Sequence, residues 1–440
     1  MTYQPHYSVL TTAGIQDAVS YATSIIAMYV RRWYNEVIWY TTLAFFSNCE
    51  ENSMRYDFDT VVDRRGGDSI KWNLYGDSML PMWVADGDFK SPQAVIDALV
   101  ARSQHGVFGY AGAPAELAEL LVKRMKDLYD WTITTDDLVY VPGVVTGFNI
   151  AARAVATPGG GVLVQTPNYP PILNCAPNHD MVTQTAELKL VNKQGVIDYQ
   201  LDMDAFAAAI TPETKIFILC HPHNPTGRLM NRAELTAMAQ LCVDRGVVIC
   251  SDEIHCDIIL DGRQHIPTAT LSPEIAQNTI TLMAPSKTFN IPGLGFSFAI
   301  IQNPQLRAAY KKVMAGLVPH AGIYGYVGAL AAYKHGQEWL TDSLRYYEGN
   351  RDFAIGFVKK YMPQLKITNP ESTYLSWVDC SEAGIEGNPK EYFQKYGVAL
   401  GDGRNFGVHT GNFVRITMAC PRSLLADGLE MMRKALEPLS

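Results

Sequence analysis

Apolar side chains recur at helical spacing in two segments of the chain. The first opens at Ser91-Pro92 and the second follows Pro114, and the residues expected on their buried faces are Val95, Leu99 and Val100, then Leu117, Leu120, Leu121, Met125 and Leu128. Serine is a favoured N-cap, and proline is a favoured first helical residue. We therefore expect Ser91 to cap the first helix and Pro92 to begin it.

Short apolar runs bounded by turn residues follow these helical segments. They cover residues 138–141, 162–165, 215–220, 247–250, 279–283 and 296–301. Such runs are typical of buried strands, and strands that alternate with helices form α/β folds around a mostly parallel sheet. Beyond them we expect a helix at 337–361 and strands at 373–377 and 413–418.

Five of the predicted strands run directly into polar or glycine-bearing segments, at 142–147, 166–169, 221–227, 251–255 and 285–287. In open α/β sheets, ligands bind beyond the carboxyl ends of the strands. One ligand that contacts several strand ends would explain the pattern. A helix expected to begin near Thr146 adds backbone N–H groups that can hold a phosphate.

Each polar segment is weak evidence when taken alone. Lys287 could be a solvated charge, and Asp252 could cap a helix. Asn224 precedes a proline and could belong to a turn. His221 and His223 lack a clear third ligand, so turn structure is a better interpretation than a metal site. The sequence therefore predicts no metal, and the case for a cofactor depends on the order and spacing of the segments.

That order and spacing resembles the class I and II aminotransferases. The resemblance is carried by Asn-Pro-Thr-Gly at 224–227, Ser-Asp-Glu-Ile-His at 251–255, Ser-Lys at 286–287 and Phe-Val-Arg-Ile at 413–416. It implies a fold-type I enzyme that uses pyridoxal 5'-phosphate, with Lys287 as the catalytic residue that carries the cofactor as a Schiff base. It also implies that Asn224 binds the cofactor's phenolic oxygen. Asp252 would keep the pyridine nitrogen protonated, which makes the ring a better electron sink.

The same resemblance assigns further residues to the site. The cofactor would be held by the backbone at Val144 and Val145, by Tyr169 stacked on its ring, and by His255 and Ser286. Arg415 would bind the substrate α-carboxylate, where a planar bidentate donor fits better than lysine. Ala85 and Asp86 would also contact the substrate. Tyr110 resembles a tyrosine that reaches the phosphate of the neighbouring subunit, which implies a homodimer.

The resemblance sharpens, over residues 54–440, to the cystathionine β-lyases of the MalY/PatB type. The marks are Pro-Met-Trp-Val-Ala-Asp at 81–86, Val-Phe-Gly-Tyr at 107–110, Ser-Lys-Thr-Phe-Asn-Ile-Pro at 286–292 and Ser-Thr-Tyr-Leu at 372–375. This subgroup implies cleavage of L-cystathionine or related S-substituted cysteines to a thiol, which is homocysteine for cystathionine, with pyruvate and ammonia. An aminotransferase that makes a 2-oxo acid is the alternative. A third possibility is a non-enzymatic protein that binds a regulatory partner.

Four positions depart from patterns common among relatives. His255 stands where many transaminases have tyrosine, and Gly295 stands where they commonly have a phosphate-binding arginine. Gly87 replaces a methionine typical of the subgroup, which predicts a roomier substrate pocket or a more mobile loop. Ala284 lacks a hydroxyl that many relatives offer to the phosphate.

The expected architecture has two domains. Residues 105–330 would form a large cofactor-binding domain, and residues 54–104 with 331–440 a smaller α+β domain. Residues 1–53 are atypical. Their apolar stretch from Ile25 to Phe46 is interrupted by charges such as Arg31 and Arg32, which disfavours a membrane anchor. We expect this extension to be a start-site artefact or a loosely attached helix.

Composition narrows the remaining choices. The 440 residues carry 36 Lys and Arg against 44 Asp and Glu, a net charge of −8 without a basic cluster, so nucleic acid is not an expected partner. The eight cysteines form no CxxC pair, which is typical of reduced thiols in a cytoplasmic protein. The partner that the family resemblance implies is a small-molecule amino-acid substrate.

Overall fold

Seven strands in the middle of the chain form one sheet. The structure is a computed structural model that describes residues 54–439. Across the sheet the strands follow the order Leu138–Val141, Ser297–Ile300, Thr279–Met283, Val248–Asp252, Thr214–Cys220, Gly161–Thr166 and Val182–Glu187. Ser297–Ile300 is antiparallel to both of its neighbours, and the other pairs are parallel. The expected α/β class with a mostly parallel sheet is confirmed.

The strand that carries the acidic segment is longer than expected. The apolar run ends at Cys250, but the strand continues to Asp252, which pairs in register with Cys220 and Leu282. Backbone pairing continues here after the apolar pattern has stopped, because the polar end of the strand lies between two neighbours. Asp252 is thereby held on a rigid element.

Helices pack around the sheets. In the described part of the chain they are Ile70–Asn73, Gln93–His105, Ala115–Tyr129, Val144–Val155, Pro170–Leu173, Met203–Ala209, Arg232–Asp244, Pro273–Gln277, Pro285–Thr288, Pro304–Met314, Ile323–His335, Gln337–Tyr361, Pro389–Gln394 and Arg422–Leu436. The helix expected at 337–361 is present over those residues. In the predicted helix after Pro114, Leu117, Leu121 and Met125 are buried, whereas Leu128 is exposed.

Two expected helix starts are wrong. The first helix begins at Gln93, with Pro92 as its N-cap, because the Ser91 hydroxyl donates instead to the Asn290 carbonyl at 3.0 Å. The helix expected near Thr146 begins at Val144, directly after an extended Gly143. Its first N–H groups therefore lie closer to the strand end than the sequence indicated.

A second sheet contains most of the C-terminal strands. Its order is Gly401–Asp402, Phe413–Thr417, Leu375–Asp379, Lys366–Thr368, Val196–Gln200 and Lys189–Lys193. The strand expected at 373–377 begins two residues later, because Thr373 has a left-handed φ of 65°. A hairpin from the middle of the chain thus joins the C-terminal sheet. Arg55–Ser440 forms a single compact unit, and the division into a large and a small domain stays a proposal.

The segment from Phe58 to Phe89 is fixed against the long helix Gln337–Tyr361. The Phe58 ring lies 5.5 Å from the Trp339 ring and 5.4 Å from the Tyr346 ring, centroid to centroid. Further along, the Asp88 N–H donates to the Ala419 carbonyl at 2.9 Å. These contacts hold residues 83–89 beside the ends of the large sheet's strands.

Several expectations concern residues 1–53, which lie outside the described part. Within residues 54–439, no helix combines the length and the apolar character that crossing a bilayer requires. The seven described cysteines are buried and unpaired.

Candidate active site

A cavity of about 410 Å³ lies beyond the carboxyl ends of the large sheet's strands. It brings together ten of the residues predicted from sequence: Ala85, Val144, Val145, Tyr169, Asn224, Asp252, His255, Ser286, Lys287 and Arg415. They come from distant parts of the chain, as expected where several parallel strands end together. The cavity is the candidate active site.

Lys287 follows the strand Thr279–Met283 in the short helix Pro285–Thr288. Its Nζ donates to the Ala85 carbonyl at 2.7 Å. Burial, together with the charge of Arg415, lowers the pKa of Lys287 to about 8, and Asp86 and Asp252 oppose this shift. Near neutral pH a substantial fraction of this amine is therefore neutral and nucleophilic.

Asp252 is a buried carboxylate with little compensation inside the protein. Its Oδ1 accepts a hydrogen bond from the Ile254 N–H at 3.2 Å. Burial raises the pKa of Asp252 to about 7, helped by Glu253, while the Ile254 N–H and Lys287 act in the opposite direction. A cationic N–H group in the cavity would favour the ionised carboxylate, because opposite charge and hydrogen bonding both lower an acid's pKa.

Arg415 lies in the middle of the strand Phe413–Thr417 and is buried. Its Nη1 donates to Asn224 Oδ1 at 3.1 Å, and its Nη2 donates to the Trp83 carbonyl at 2.8 Å. Within the described residues its Nε has no hydrogen-bond partner. Burial lowers the pKa of Arg415 to about 10, so the guanidinium stays protonated at neutral pH. It can therefore bind a carboxylate in the cavity.

His255 is buried beside Tyr374, with 6.0 Å between the ring centroids. Burial, together with the charges of Lys287 and Arg415, lowers the pKa of His255 to about 3. The imidazole is therefore neutral, so one of its nitrogens donates a hydrogen bond and the other accepts one. Its Nδ1 has no partner among residues 54–439.

The opposite side of the cavity is formed by the start of the helix Val144–Val155. Gly143, the N-cap, offers no capping side chain, and a Cβ built on it would meet nothing within 4 Å. Gly143, Val144 and Val145 line the cavity, so the positive end of this helix dipole lies at the cavity wall, where a phosphate binds well. Ser286 lines the same cavity, and its hydroxyl makes a long bond of 3.4 Å to the Phe296 carbonyl.

Two residues singled out in the sequence, Gly295 and His223, lie in turns of the structure. Gly295 has a left-handed φ of 61° at the end of the turn Pro292–Leu294. An arginine at this position would have to adopt a conformation that side chains disfavour. His223, in the His-Pro-His segment, shares a hydrogen bond of 2.8 Å between its Nδ1 and Thr226 Oγ1, which supports the turn.

Two predicted site residues lie outside this cavity. Asp86 lines an adjoining cavity that meets the first at Lys287. Tyr110 is fully exposed on the chain surface. Its expected role in a neighbouring subunit's site stays a prediction.

The sequence analysis did not assign roles to three residues that shape the site. The Tyr374 hydroxyl donates to the Ala85 carbonyl at 2.9 Å, so this carbonyl accepts hydrogen bonds from both Tyr374 and Lys287. The Phe406 ring lies under Arg415, 5.1 Å from its Cζ. Trp83 contributes a carbonyl. Tyr374 belongs to the Ser-Thr-Tyr-Leu motif at 372–375. The packing of Phe406 and the contact of the Trp83 carbonyl leave no signal in the sequence.

Comparison with known proteins gives the family. The model for aminotransferase class I and II matches residues 82–431. This chain belongs to the class I and II aminotransferases. Cystathionine beta-lyase PatB of Bacillus subtilis (strain 168) is 34% identical over 393 residues, which cover 86% of this chain and 100% of PatB. The expected family and its MalY/PatB-type subgroup are thus confirmed.

Two solved structures are similar to this chain along nearly their whole length. OvoB aligns with a TM-score of 0.82 at 41% identity, over 87% of this chain and 99% of OvoB. Cystalysin from Treponema denticola, a structure that contains pyridoxal 5'-phosphate, aligns with a TM-score of 0.83 at 32% identity, over 88% and 100% of the two chains.

The cavity of this aminotransferase-family chain fits the same cofactor. Asp252 is a buried acid that needs a cationic partner, as a protonated pyridine nitrogen would supply. The helix that starts at Val144 offers free N–H groups to a phosphate, and Lys287 offers an amine to an aldehyde. The donors therefore match the ring, the phosphate and the aldehyde of pyridoxal phosphate.

The lowered pKa of Lys287 predicts how cofactor-free protein takes up pyridoxal phosphate. Only the neutral amine attacks the aldehyde, so the uptake rate should rise about tenfold per pH unit below about pH 8 and level off above it. Stopped-flow absorbance of the bound cofactor between pH 6 and 9.5 measures this profile. A rate that still climbs steeply above pH 9 would contradict a lowered pKa.

Proposed function

We propose that this protein is a pyridoxal-phosphate-dependent carbon–sulfur β-lyase. It would cleave L-cystathionine or related S-substituted cysteines to a thiol, pyruvate and ammonia. The observation that carries the proposal is the convergence of Lys287, Asp252, Asn224 and Arg415 in one cavity. The name of the relative PatB, a cystathionine beta-lyase aligned over its whole length, favours lyase chemistry.

Substrate binding would begin at Arg415. The buried guanidinium is already oriented by Asn224 and the Trp83 carbonyl, so little side-chain freedom is lost when a carboxylate binds. Its Nε–H, which has no partner within residues 54–439, can join a second donor in a bidentate contact. This contact fixes the α-carboxylate and, through it, the position of Cα relative to Lys287.

Proton transfer would then fall to Lys287. With the cofactor and the substrate bound, the Lys287 amine would accept the Cα proton, and its lowered pKa suits a general base. The hydrogen bond to the Ala85 carbonyl fixes the position of the Lys287 Nζ atom. Bound pyridoxal phosphate supplies the electron sink for the pair left at Cα, and Asp252 supports it.

Elimination completes the reaction. The Cβ–S bond breaks and its electron pair leaves with sulfur, which takes up a proton to become the thiol. The three-carbon product, once released, hydrolyses to pyruvate and ammonia. No second substrate is needed, whereas an aminotransferase must receive a 2-oxo acid to turn over repeatedly.

That difference defines the test. Purified, cofactor-loaded protein receives L-cystathionine without any oxo acid, and pyruvate is followed by coupling to lactate dehydrogenase. Steady release over many turnovers is expected. A single turnover that resumes only when an oxo acid is added would replace the lyase proposal with an aminotransferase.

We further propose that the active unit is a homodimer in which Tyr110 contacts the cofactor phosphate of the partner. Tyr110 stands fully exposed, near the exposed Val107 and Phe108. An apolar group of this kind on a soluble surface is typical of a contact site. The buried, unpaired thiols support a reducing compartment, the cytoplasm.

Mixed dimers test the position of Tyr110. Tyr110→Ala and Lys287→Ala proteins, each weakly active, are mixed under conditions of subunit exchange. If Tyr110 acts across the interface, half of the dimers regain one intact site, and activity should return to about a quarter of that of the unmodified enzyme. If Tyr110 acts within its own chain, mixing restores nothing.

A further inference from the structure

A second cavity, of about 620 Å³, adjoins the active site at Lys287. Val84, Ala85, Lys287 and Pro292 line both cavities. In the proposed reaction, Cα and Cβ of the substrate lie beside Lys287. The group attached to the departing sulfur must therefore extend from that point, and the second cavity offers space for it.

Asp86, Asp88, Arg64 and Lys71 form the polar floor of this second cavity. The two carboxylates differ in how many of their oxygens have hydrogen-bond donors. Asp88 is satisfied: its Oδ1 accepts from Arg64 at 2.7 Å and from the Trp72 indole at 2.8 Å, and its Oδ2 accepts from Lys71 at 2.7 Å. These bonds hold Asp88 in the core. Both of its carboxylate oxygens have donors within residues 54–439.

Asp86 is only half satisfied. Its Oδ2 accepts from Arg64 Nη2 at 2.6 Å, but its Oδ1 is buried without a hydrogen-bond partner among residues 54–439. The Lys71 ammonium lies 3.9 Å from that oxygen, too far for a hydrogen bond. A buried carboxylate oxygen without a donor is costly, so this position favours a ligand that donates.

The cations of the floor, Lys71 and Arg64, are both bonded to its carboxylates and backbone carbonyls. Lys71 donates to Asp88 Oδ2 and, at 3.0 Å, to the Asp86 carbonyl. Arg64 donates to both carboxylates and to the Gly87 carbonyl at 3.3 Å. Among the side chains that line this cavity, the buried polar atom without a hydrogen-bond partner within residues 54–439 is the carboxylate oxygen Asp86 Oδ1.

We propose that the second cavity receives the substituent on the substrate's sulfur, and that Asp86 Oδ1 selects substituents that carry a cationic N–H donor such as a primary ammonium group. The proposal rests on the lyase function above and specifies its substrate class. Asp86 is here a specificity-determining residue. It takes no part in proton transfer at Cα.

Gly87 keeps the entrance to this cavity wide. A Cβ on residue 87 would come within 3.2 Å of the Asn290 side chain, which is held by the Gly87 N–H at 2.8 Å and by its own bonds to the Gly87 and Phe89 carbonyls. A larger residue would have to displace Asn290 or project into the cavity. Long substituents depend on glycine at this position.

The test compares two substrates of similar size, S-(3-aminopropyl)-L-cysteine and S-butyl-L-cysteine. Both would release pyruvate and differ at the end of the substituent, ammonium against methyl. The ammonium also makes its thiol a somewhat better leaving group, but that intrinsic effect is the same in every variant. The informative quantity is therefore the ratio of kcat/KM for the two substrates in each protein.

The unmodified enzyme should prefer the ammonium substrate by about tenfold or more, and Asp86→Asn should bring the ratio close to its intrinsic value. Asp63→Asn is the matched control, because Asp63 is an exposed acid on the same segment that lines neither cavity. It should keep the preference. A ratio near one in the unmodified enzyme, or an unchanged preference in Asp86→Asn, overturns the proposal.

Two further measurements separate this proposal from the lyase function and from loss of folding. Calorimetry on Lys287→Ala protein measures binding of the two amino acids without turnover, and the same preference is expected there. Pyruvate from both substrates at equal efficiency would overturn the subsite alone, whereas preferential binding without pyruvate would overturn the lyase alone. If Asp86→Asn does not fold, Gly87→Met should lower kcat/KM for both long substrates relative to S-methyl-L-cysteine, and equal losses for all three overturn the subsite.

Discussion

Replacing Lys287 by alanine should lower kcat for pyruvate release by about 10³- to 10⁴-fold, because the change removes both the amine that anchors the cofactor and the general base at Cα. Folding should be retained, since Nζ makes a single hydrogen bond, to the Ala85 carbonyl. Steady-state assay and thermal unfolding on the same preparation measure both quantities.

A matched control and a rescue make this result specific. Lys189→Ala removes an exposed lysine from the distant hairpin and should leave kcat unchanged. A small primary amine added to Lys287→Ala should restore part of the rate, because it can enter the cavity and take the Cα proton. If the variant keeps more than a tenth of the original kcat, another group serves as the base, and the assignment of Lys287 as the general base at Cα is wrong.

Asp252→Asn should have the next largest effect. An asparagine does not supply the negative charge that keeps the cofactor's ring nitrogen protonated, so kcat/KM should fall by about 10²-fold or more. The shape of residue 252 is nearly unchanged, so substrate binding at Arg415 should persist. Activity close to that of the unmodified enzyme would show that ring protonation does not limit the reaction.

The same variant should alter stability in cofactor-free protein with a defined pH dependence. Burial raises the folded-state pKa of Asp252 to about 7, above its ordinary value of 3.8. The folded state therefore holds this proton more tightly, and stability falls as pH rises towards 7. Relative to Asp252→Asn, the unmodified protein should lose about 2–3 kcal/mol in free energy of unfolding between pH 5 and pH 8.

Urea unfolding of both cofactor-free proteins at the two pH values measures that difference. Any constant cost of burying the amide cancels, because only the change with pH is compared. Saturating pyridoxal phosphate should reduce the effect in the unmodified protein, since the cofactor would give Asp252 a cationic partner. Parallel pH profiles for the two proteins would mean that Asp252 is already ionised in the empty site.

Much of this site was accessible from sequence because its residues follow strands. Asn224, Asp252 and Lys287 come at or just after strand ends, and parallel strands bring those ends to one edge. Arg415 was found through its motif, since the strand that carries it belongs to the second sheet. Periodicity alone would not have placed it in the cavity.

Other features depend on interactions that apolar patterns do not encode. Ser91 has the sequence of an N-cap, yet its hydroxyl bonds to Asn290, which lies far away in the chain. The different states of Asp86 and Asp88 depend on Arg64 and Lys71 arriving from another segment. The left-handed Thr373 delays the start of a strand that its apolar neighbours predicted earlier.

The backbone carbonyls of Trp83 and Ala85 have a consequence for comparing natural variants. These carbonyls accept hydrogen bonds from Arg415, Lys287 and Tyr374. Every amino acid has a backbone carbonyl, whatever its side chain. These contacts therefore do not themselves require a particular side chain at residues 83 and 85, although the Trp83 indole also donates to the Lys71 carbonyl at 3.2 Å and Ala85 is buried. Conservation of the active site should depend instead on Asn290, whose side chain fixes the path of this segment. A homologue without Asn290 should lose activity even if it keeps Lys287 and Arg415.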